Sequence, residues 1–241
     1  ILLSNVYCQD GRSVSPEGRR RDPDDRLLWR QRRRRLEGES LRDSVLAVAG
    51  RLNREQGGPS VRVPLEPEVY ELIFTEAEPD FLWPTTPDPR QHARRGVYLF
   101  AKRNVRLPLF EAFDKPDTLT SCPVRPVSTS APQALTLFNG PFLQAQSKAL
   151  AARLLRECGP DAGRQIDRAY RLALARPPRP AEREAARTFL RTQADLIRDR
   201  LRTRNPPAPP AGVADPVDPA AAALADFCLA MFNRNEFLYV P

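Results

Sequence analysis

The side chains that could do chemistry in this sequence are concentrated between positions 94 and 139. Guanidinium forks, a phenol, a carboxylate and amides lie there in segments interrupted by prolines, a combination typical of a site for an anion or a sugar. The same groups could equally donate hydrogen bonds to the buried carbonyls of irregular loops, which need such donors. The residues that we take as binding candidates are Arg95, Tyr98, Asp114, Arg125, Gln133 and Asn139.

Acid–base and metal chemistry have few candidates. His92 is the one histidine of the chain, which excludes any site that requires two, and it lies in a loop-like run of prolines and arginines. In an enzyme, Asp114 or His92 would be the acid or base. Asp114 and Asp117 together supply too few carboxylates for a calcium cage. We therefore assign no catalytic residue and no metal ligand, and the sequence leaves open whether the protein is an enzyme.

The four cysteines, at positions 8, 122, 158 and 228, form no CxxC or CxxCH pair. Their spacing excludes zinc ribbons, thioredoxin chemistry and covalent attachment of a c-type haem to this chain. Cys158 and Cys228 fall on apolar helical stripes and are expected to be buried. Cys8 and Cys122 lie in irregular segments and could pair in an oxidising compartment. The sequence also has no GxSxG elbow, Walker loop or GxGxxG loop, and no cofactor is expected in this chain.

Positive charge is high, but it does not by itself indicate a function. The chain has 241 residues and a net charge of +8, and only three of its 38 basic residues are lysines. Residues 19–35 contain nine arginines against three aspartates, a run that could bind nucleic acid or form a solvated helix face. No glycine-rich nucleic-acid motif accompanies this run, so nucleic acid is not an expected partner.

The elements that would position these groups are helices. Apolar residues recur at helical spacing from Leu36 to Leu52 and through the second half, where Gly-Pro and Pro-Pro pairs separate successive helices. The pattern is expected to begin at about Asp24, after a polar loop over residues 10–23. The sequence predicts a mainly α fold, an irregular multi-helix domain with long proline-rich loops and little β structure. Its last helix is expected to fold back onto the helices between positions 142 and 204.

The expected organisation is an arm followed by one domain. Residues 1–23 would form an arm that continues from an upstream region, and residues 24–241 would form the helical domain. A proline-rich connection is expected at 205–219, where the composition is typical of a stiff linker. No apolar run approaches the roughly 18 residues that span a bilayer, so no transmembrane segment is expected in this chain.

Several blocks of the sequence resemble one known family. They occur in order as RRRLEGESLRDSVLAVAGRLN, RRGVYLFAKRN, FDKPD, SCPVRPVSTSAPQALTLFNGPF, AYRLALARPPRPAERE and FNRNEFLYV. Together they resemble a planctomycete C-terminal domain of unknown function, which is found downstream of cytochrome-c-like domains in exported proteins. The family's polar motif positions fall here on Arg95, Tyr98, Asp114, Cys122, Arg125, Gln133 and Asn139.

This resemblance implies an exported protein, periplasmic or at the cell surface, whose haem would lie in an upstream domain. Its partners would then be the upstream cytochrome-like and uncharacterised domains of the same protein. Our leading hypothesis is a non-catalytic helical scaffold or docking module of that larger protein. The alternative is an enzyme or ligand-binding domain that acts on an anionic or carbohydrate substrate through a pocket lined by arginine, tyrosine and asparagine.

Overall fold

A computed structural model describes residues 2–9, 11, 15–73, 83–103, 105–203 and 218–240. The predicted proline-rich connection at 205–219 lies outside these residues, apart from its last two positions. Within the described residues the chain forms ten α-helices, two single 3₁₀ turns and one two-stranded sheet.

The helices follow one another along the whole described chain. Helices α1 to α10 span Pro16–Arg21, Gly38–Val48, Pro67–Ile73, Pro108–Ala112, Ala131–Asn139, Pro141–Cys158, Ala162–Leu174, Pro180–Arg202, Pro219–Phe232 and Asn235–Leu238. The 3₁₀ turns are Gln91–Ala93 and Gly96–Tyr98. Strands β1 (Arg34–Arg35) and β2 (Tyr239–Val240) pair antiparallel, so the end of the chain lies beside the start of α2. The mainly α prediction is confirmed.

Prolines determine where many of these helices begin. Six of the described helices have proline as their first residue, where its missing N–H has no intrahelical partner to lose and its fixed φ suits the first turn. At α5 the start is reinforced by a capping box, in which the Ser130 backbone N–H donates to Gln133. Six of the 26 prolines of the chain therefore mark the start of a helix.

The core is built around α6 and α9. Helix α9 packs against both α6 and α8, which confirms the prediction that the last long helix folds back. Leu150 and Leu154 of α6 and Phe232 of α9 are completely buried in this core, together with Leu41 of α2. Burial of such side chains contributes about 1.5–3 kcal/mol each before entropy is subtracted. Helix α2 is thereby fixed against the bundle, with its polar edge available to the loops.

The segment before α2 differs from its prediction. Residues 10–23 were expected to be a loop, yet they contain α1, and the helical pattern expected from Asp24 starts only at Gly38. The carboxylate of Asp22 accepts hydrogen bonds from the backbone N–H groups of Arg26 and Leu27, at 2.9 and 2.7 Å. Asp25 and Leu28 adopt left-handed φ angles of 54° and 56°. Because the side chain of Asp22 competes for these backbone groups, no helix forms there.

Among the described residues, no helix combines the length and the hydropathy that crossing a bilayer requires.

Candidate functional site

Two of the predicted site residues, Asp114 and Gln133, lie in one partly buried polar cluster, which we call the Asp114 clamp (Arg35, Asp114, Ser128 and Gln133). Arg35 Nη2 donates to Asp114 Oδ2 at 2.7 Å, and its Nη1 donates to the Ser128 carbonyl at 2.8 Å. The Ser128 backbone N–H and hydroxyl both donate to the Asp114 carboxylate at 2.8 Å. Gln133 Nε2 then donates to the Ser128 hydroxyl and carbonyl, each at 3.2 Å. The clamp fastens the loop after α4 to β1 and α5.

Asp114 is held ionised within the clamp. Its backbone is left-handed, with a φ of 56°, a conformation that aspartate tolerates better than most residues. Burial alone would raise the pKa of Asp114. The hydrogen bonds from Ser128 and the Arg35 guanidinium outweigh that effect, and the pKa lies below its ordinary value. A carboxylate stabilised in this way is a weak proton donor or acceptor at neutral pH.

Arg125 lies beside the clamp, but its hydrogen bonds go to other residues. Its Nη1 lies 3.0 Å from Glu39 Oε2 and 3.2 Å from Glu37 Oε2, and its Nη2 donates to the Phe113 carbonyl at 3.1 Å. Lys115 lies 3.8 Å from the other oxygen of Glu39. Arg125 therefore ties the loop after α4 to the first turn of α2.

Arg95 and Tyr98 lie at the 3₁₀ turn Gly96–Tyr98, which packs beside α2 one helical turn beyond Glu39. The Arg95 Nε is 4.0 Å from Asp43 Oδ2, and the Gly96 backbone N–H donates to Asp43 Oδ1 at 2.7 Å. The Tyr98 hydroxyl accepts from the Gly57 backbone N–H at 3.2 Å, while its ring lies 3.9 Å below the buried guanidinium of Arg94. Burial raises the pKa of Asp43. The hydrogen bond from Gly96 and the neighbouring arginines lower it, but only partly offset the effect of burial.

The six predicted binding residues thus do not line one cavity. Asp114 and Gln133 share the clamp, and Arg125 and Arg95 contact neighbouring carboxylates on α2, namely Glu39 and Asp43. Tyr98 contacts a different loop, and Asn139 is exposed at the end of α5. Cys122, the remaining motif position, is an exposed free thiol that contacts the Val124 carbonyl.

A cleft of about 590 Å³ lies elsewhere, between α2, the start of α6 and the segments 63–67, 89–93 and 107–110. His92 lines it, but none of the six predicted binding residues does. Its walls are mainly apolar, with Leu65 and Phe142 among them. The polar residues that sequence reasoning missed here are Arg42, Arg51, Glu66 and Gln146. They come from segments up to about a hundred residues apart, so no spacing in the sequence could have grouped them.

The cleft has a positively charged side. The Arg42 guanidinium donates to the carbonyls of Arg94 and His92, at 2.8 and 2.5 Å, and burial lowers its pKa to about 10, so it stays charged at neutral pH. His92 Nε2 lies 2.7 Å from the Thr86 carbonyl oxygen. Because a carbonyl only accepts, His92 Nε2 must carry the proton.

The described part of the chain contains no cluster of metal-binding side chains. No three His, Cys, Asp or Glu side chains are grouped there as a metal ion would require. All four cysteines are free thiols, with Cys158 and Cys228 buried as predicted and Cys8 and Cys122 exposed. Burial raises the pKa of Cys228, which makes it an inert core residue.

A family model places the chain among known sequences. The PSD1 model, described as a protein of unknown function (DUF1553), matches residues 1–190, and the chain therefore belongs to this family. No curated protein and no solved structure matches the chain.

Proposed function

We propose that this member of the PSD1 family is a non-catalytic helical docking module of a larger exported protein that also carries a cytochrome-c-like domain. The observation that carries the proposal is the Asp114 clamp. The polar side chains most suited to chemistry are bound to one another and to loop carbonyls, with Asp114 ionised beside Arg35. In this arrangement they determine the shape of a loop, and no acid–base pair is left between them.

The surface next to the clamp supports docking. Val124 and Val127 are 79% and 72% exposed in the loop that the clamp holds, and Leu135 and Phe138 project from the neighbouring helix α5. Exposed apolar side chains concentrated in one segment are typical of interaction surfaces. A rigid loop loses little entropy when it binds, so fixing it through Asp114 would favour association. We call these four exposed residues, together with the exposed Leu119, the 119–138 face.

The proposed partner is the upstream cytochrome-like domain of the same protein, and haem would be bound there. This part of the proposal rests on the order and content of the sequence blocks. Export to the periplasm or cell surface follows from the same resemblance. The alternative function, binding of an anionic or carbohydrate ligand, is better served by the cleft beside Arg42 than by the six residues predicted for it.

Cross-linking from Cys122 tests the docking role. Cys122 is exposed within the 119–138 face, so a thiol-directed photo-cross-linker can be attached to it in the native protein carrying Cys8→Ser. We expect covalent links from Cys122 to peptides of the cytochrome-like domain, and their loss when Val124→Asp is added.

A matched control places the cross-linker on another face. Leu196 of α8 is also exposed, so Leu196→Cys in a Cys8→Ser, Cys122→Ser background carries the same reagent away from the 119–138 face. We expect few links from that position. Equal links from both positions, or none from Cys122, would contradict docking through this face.

A further inference from the structure

The 590 Å³ cleft has the size and walls of a small-molecule site. Pockets that bind small ligands are usually about 300–1,000 Å³, mostly apolar, with a few polar groups that orient the ligand. Here Leu65, Phe110 and Phe142 contribute apolar surface, and five prolines from four segments form much of the remaining wall. Phenylalanine side chains such as these pack favourably against an aromatic ring.

Two polar groups of the cleft, the exposed Arg51 guanidinium and the buried Gln146 Oε1, have no partner among the described residues. Among the described residues no carboxylate lies within ion-pair distance of Arg51, although Arg51 lines both this cleft and an adjoining, more polar cavity of about 770 Å³. The half-buried Gln146 also lines the cleft; its Oε1 is turned away from solvent and accepts no hydrogen bond in the described structure, so rotating it toward the cleft breaks no hydrogen bond of that oxygen. A buried acceptor without a donor costs about 1–3 kcal/mol, so a ligand that donates to it would be stabilised.

The charge balance of the cleft favours an anion. Arg42 and Arg51 are both cationic at neutral pH, and one acidic residue, Glu66, faces them among the lining side chains. Burial, together with the nearby Glu68 carboxylate, raises the pKa of Glu66. Asp43, at 3.6 Å from Arg42, compensates part of the buried charge but does not line the cleft.

From these observations we propose that the cleft binds a small aromatic carboxylate, with its carboxylate at Arg51 and its ring against Phe142 and the prolines. A hydroxyl group of the ligand would donate to Gln146 Oε1 after a rotation of this half-buried side chain brings the oxygen to the cleft surface. This site is separate from the Asp114 clamp and the 119–138 face. It is also independent of the proposed docking role.

Calorimetric titration of the chain with three probes tests the proposal. The probes are 4-hydroxybenzoate, benzoate, which lacks the hydroxyl, and 4-hydroxybenzamide, which has the same shape without the charge. We expect saturable binding of 4-hydroxybenzoate, and binding weaker by about tenfold for each of the other two, as loss of one charged or buried hydrogen bond implies.

Two variants assign the contacts. Arg51→Gln is expected to weaken 4-hydroxybenzoate binding by about tenfold or more, because it removes the carboxylate's cation. Gln146→Leu is expected to weaken 4-hydroxybenzoate to the level of benzoate and to leave benzoate itself almost unchanged. Arg54→Gln is the matched control, since Arg54 is exposed three residues away and does not line the cleft.

Three outcomes would overturn the proposal. They are no saturable binding of any probe, amide binding equal to that of the carboxylate, and equal effects of Arg51→Gln and Arg54→Gln. Thermal unfolding of each variant verifies that the fold is kept. Because the titration uses this chain alone, its result is separate from that of the cross-linking experiment.

Discussion

Replacing Glu182 with glutamine should weaken the fold at a point where three helices meet. Glu182 accepts hydrogen bonds from Arg176 through both carboxylate oxygens, at 2.7 and 2.8 Å. It also accepts from Arg234 at 2.8 Å and from the Arg179 backbone N–H at 2.9 Å. Arg176 in turn binds Glu236 of α10 at 2.7 Å. Glu182 therefore joins the α7–α8 connection to the end of the chain.

The size of the effect follows from the pKa of Glu182. The hydrogen bonds from the Arg176 guanidinium lower that pKa most, and the Arg179 backbone N–H and the charge of Arg234 lower it further. Burial acts in the opposite direction, and the net result is a fall from 4.5 to about 2. The difference corresponds to about 3 kcal/mol as an upper bound. The side chain is 18% exposed, and screening by solvent reduces the expected loss in Glu182→Gln to about 1–2 kcal/mol. For a chain of this length the melting temperature should fall by about 2–8 °C.

Urea unfolding at two pH values is the assay. The folded pKa of Glu182 lies below the unfolded value, so its contribution is complete well above pH 4.5 and is lost as the pH falls from 4.5 toward 2. The difference between wild type and Glu182→Gln should be full at pH 7 and less than half as large at pH 3. Asp195→Asn, which breaks an exposed ion pair with Arg198, should change stability by under about 0.5 kcal/mol. An equal difference at both pH values, or no loss at pH 7, would refute this reasoning.

Three further predictions concern the clamp, the α2 contact and the thiols. Asp114→Ala should destabilise the protein by about 1 kcal/mol more than Asp114→Asn, because alanine tolerates the left-handed backbone less well and also lacks the side-chain oxygen that asparagine keeps for Ser128. Equal losses in urea unfolding would contradict both reasons. Gly38→Ala should lower the free energy of unfolding by about 1–3 kcal/mol, since the added Cβ would lie 3.2 Å from Phe113 Cβ and from the backbone of α4. Thermal unfolding measures the loss, and an unchanged melting temperature would mean that the core relaxes freely. In a thiol-reagent titration of the native protein, Cys8 and Cys122 should react rapidly and the two buried cysteines only after unfolding; four fast thiols would contradict their burial.

Much of the helical fold could be predicted because helix boundaries are local. The stripe of Leu143, Leu150 and Leu154 predicts α6, and Gly159-Pro160 predicts its end, since apolar periodicity and breaker residues act within a few positions. The capping box at Ser130 is equally local. The segment around Asp22 could not be predicted in the same way, because its side chain takes backbone groups that a helix would otherwise pair.

The candidate site could be predicted less completely from the sequence than the helices could. Asp114 and Gln133 could be grouped because they lie within twenty residues of each other in a polar segment. Their organising partner, Arg35, lies 79 residues before Asp114 and was visible only as one arginine in a charged run. Residues of the cleft such as Arg51 and Gln146 are brought together by the packing of α6 beside α2, which no local pattern encodes.

The most direct test of the docking proposal is to measure the size, haem content and cellular location of the native polypeptide. An antibody raised against this chain would isolate the protein from fractionated cells of the source organism, for measurement of intact mass and haem absorbance. We expect an exported polypeptide well above the 27.2 kDa of this chain, with haem in stoichiometric amount. A polypeptide of 27.2 kDa in the cytoplasmic fraction, without haem or a haem-bearing partner, would contradict it.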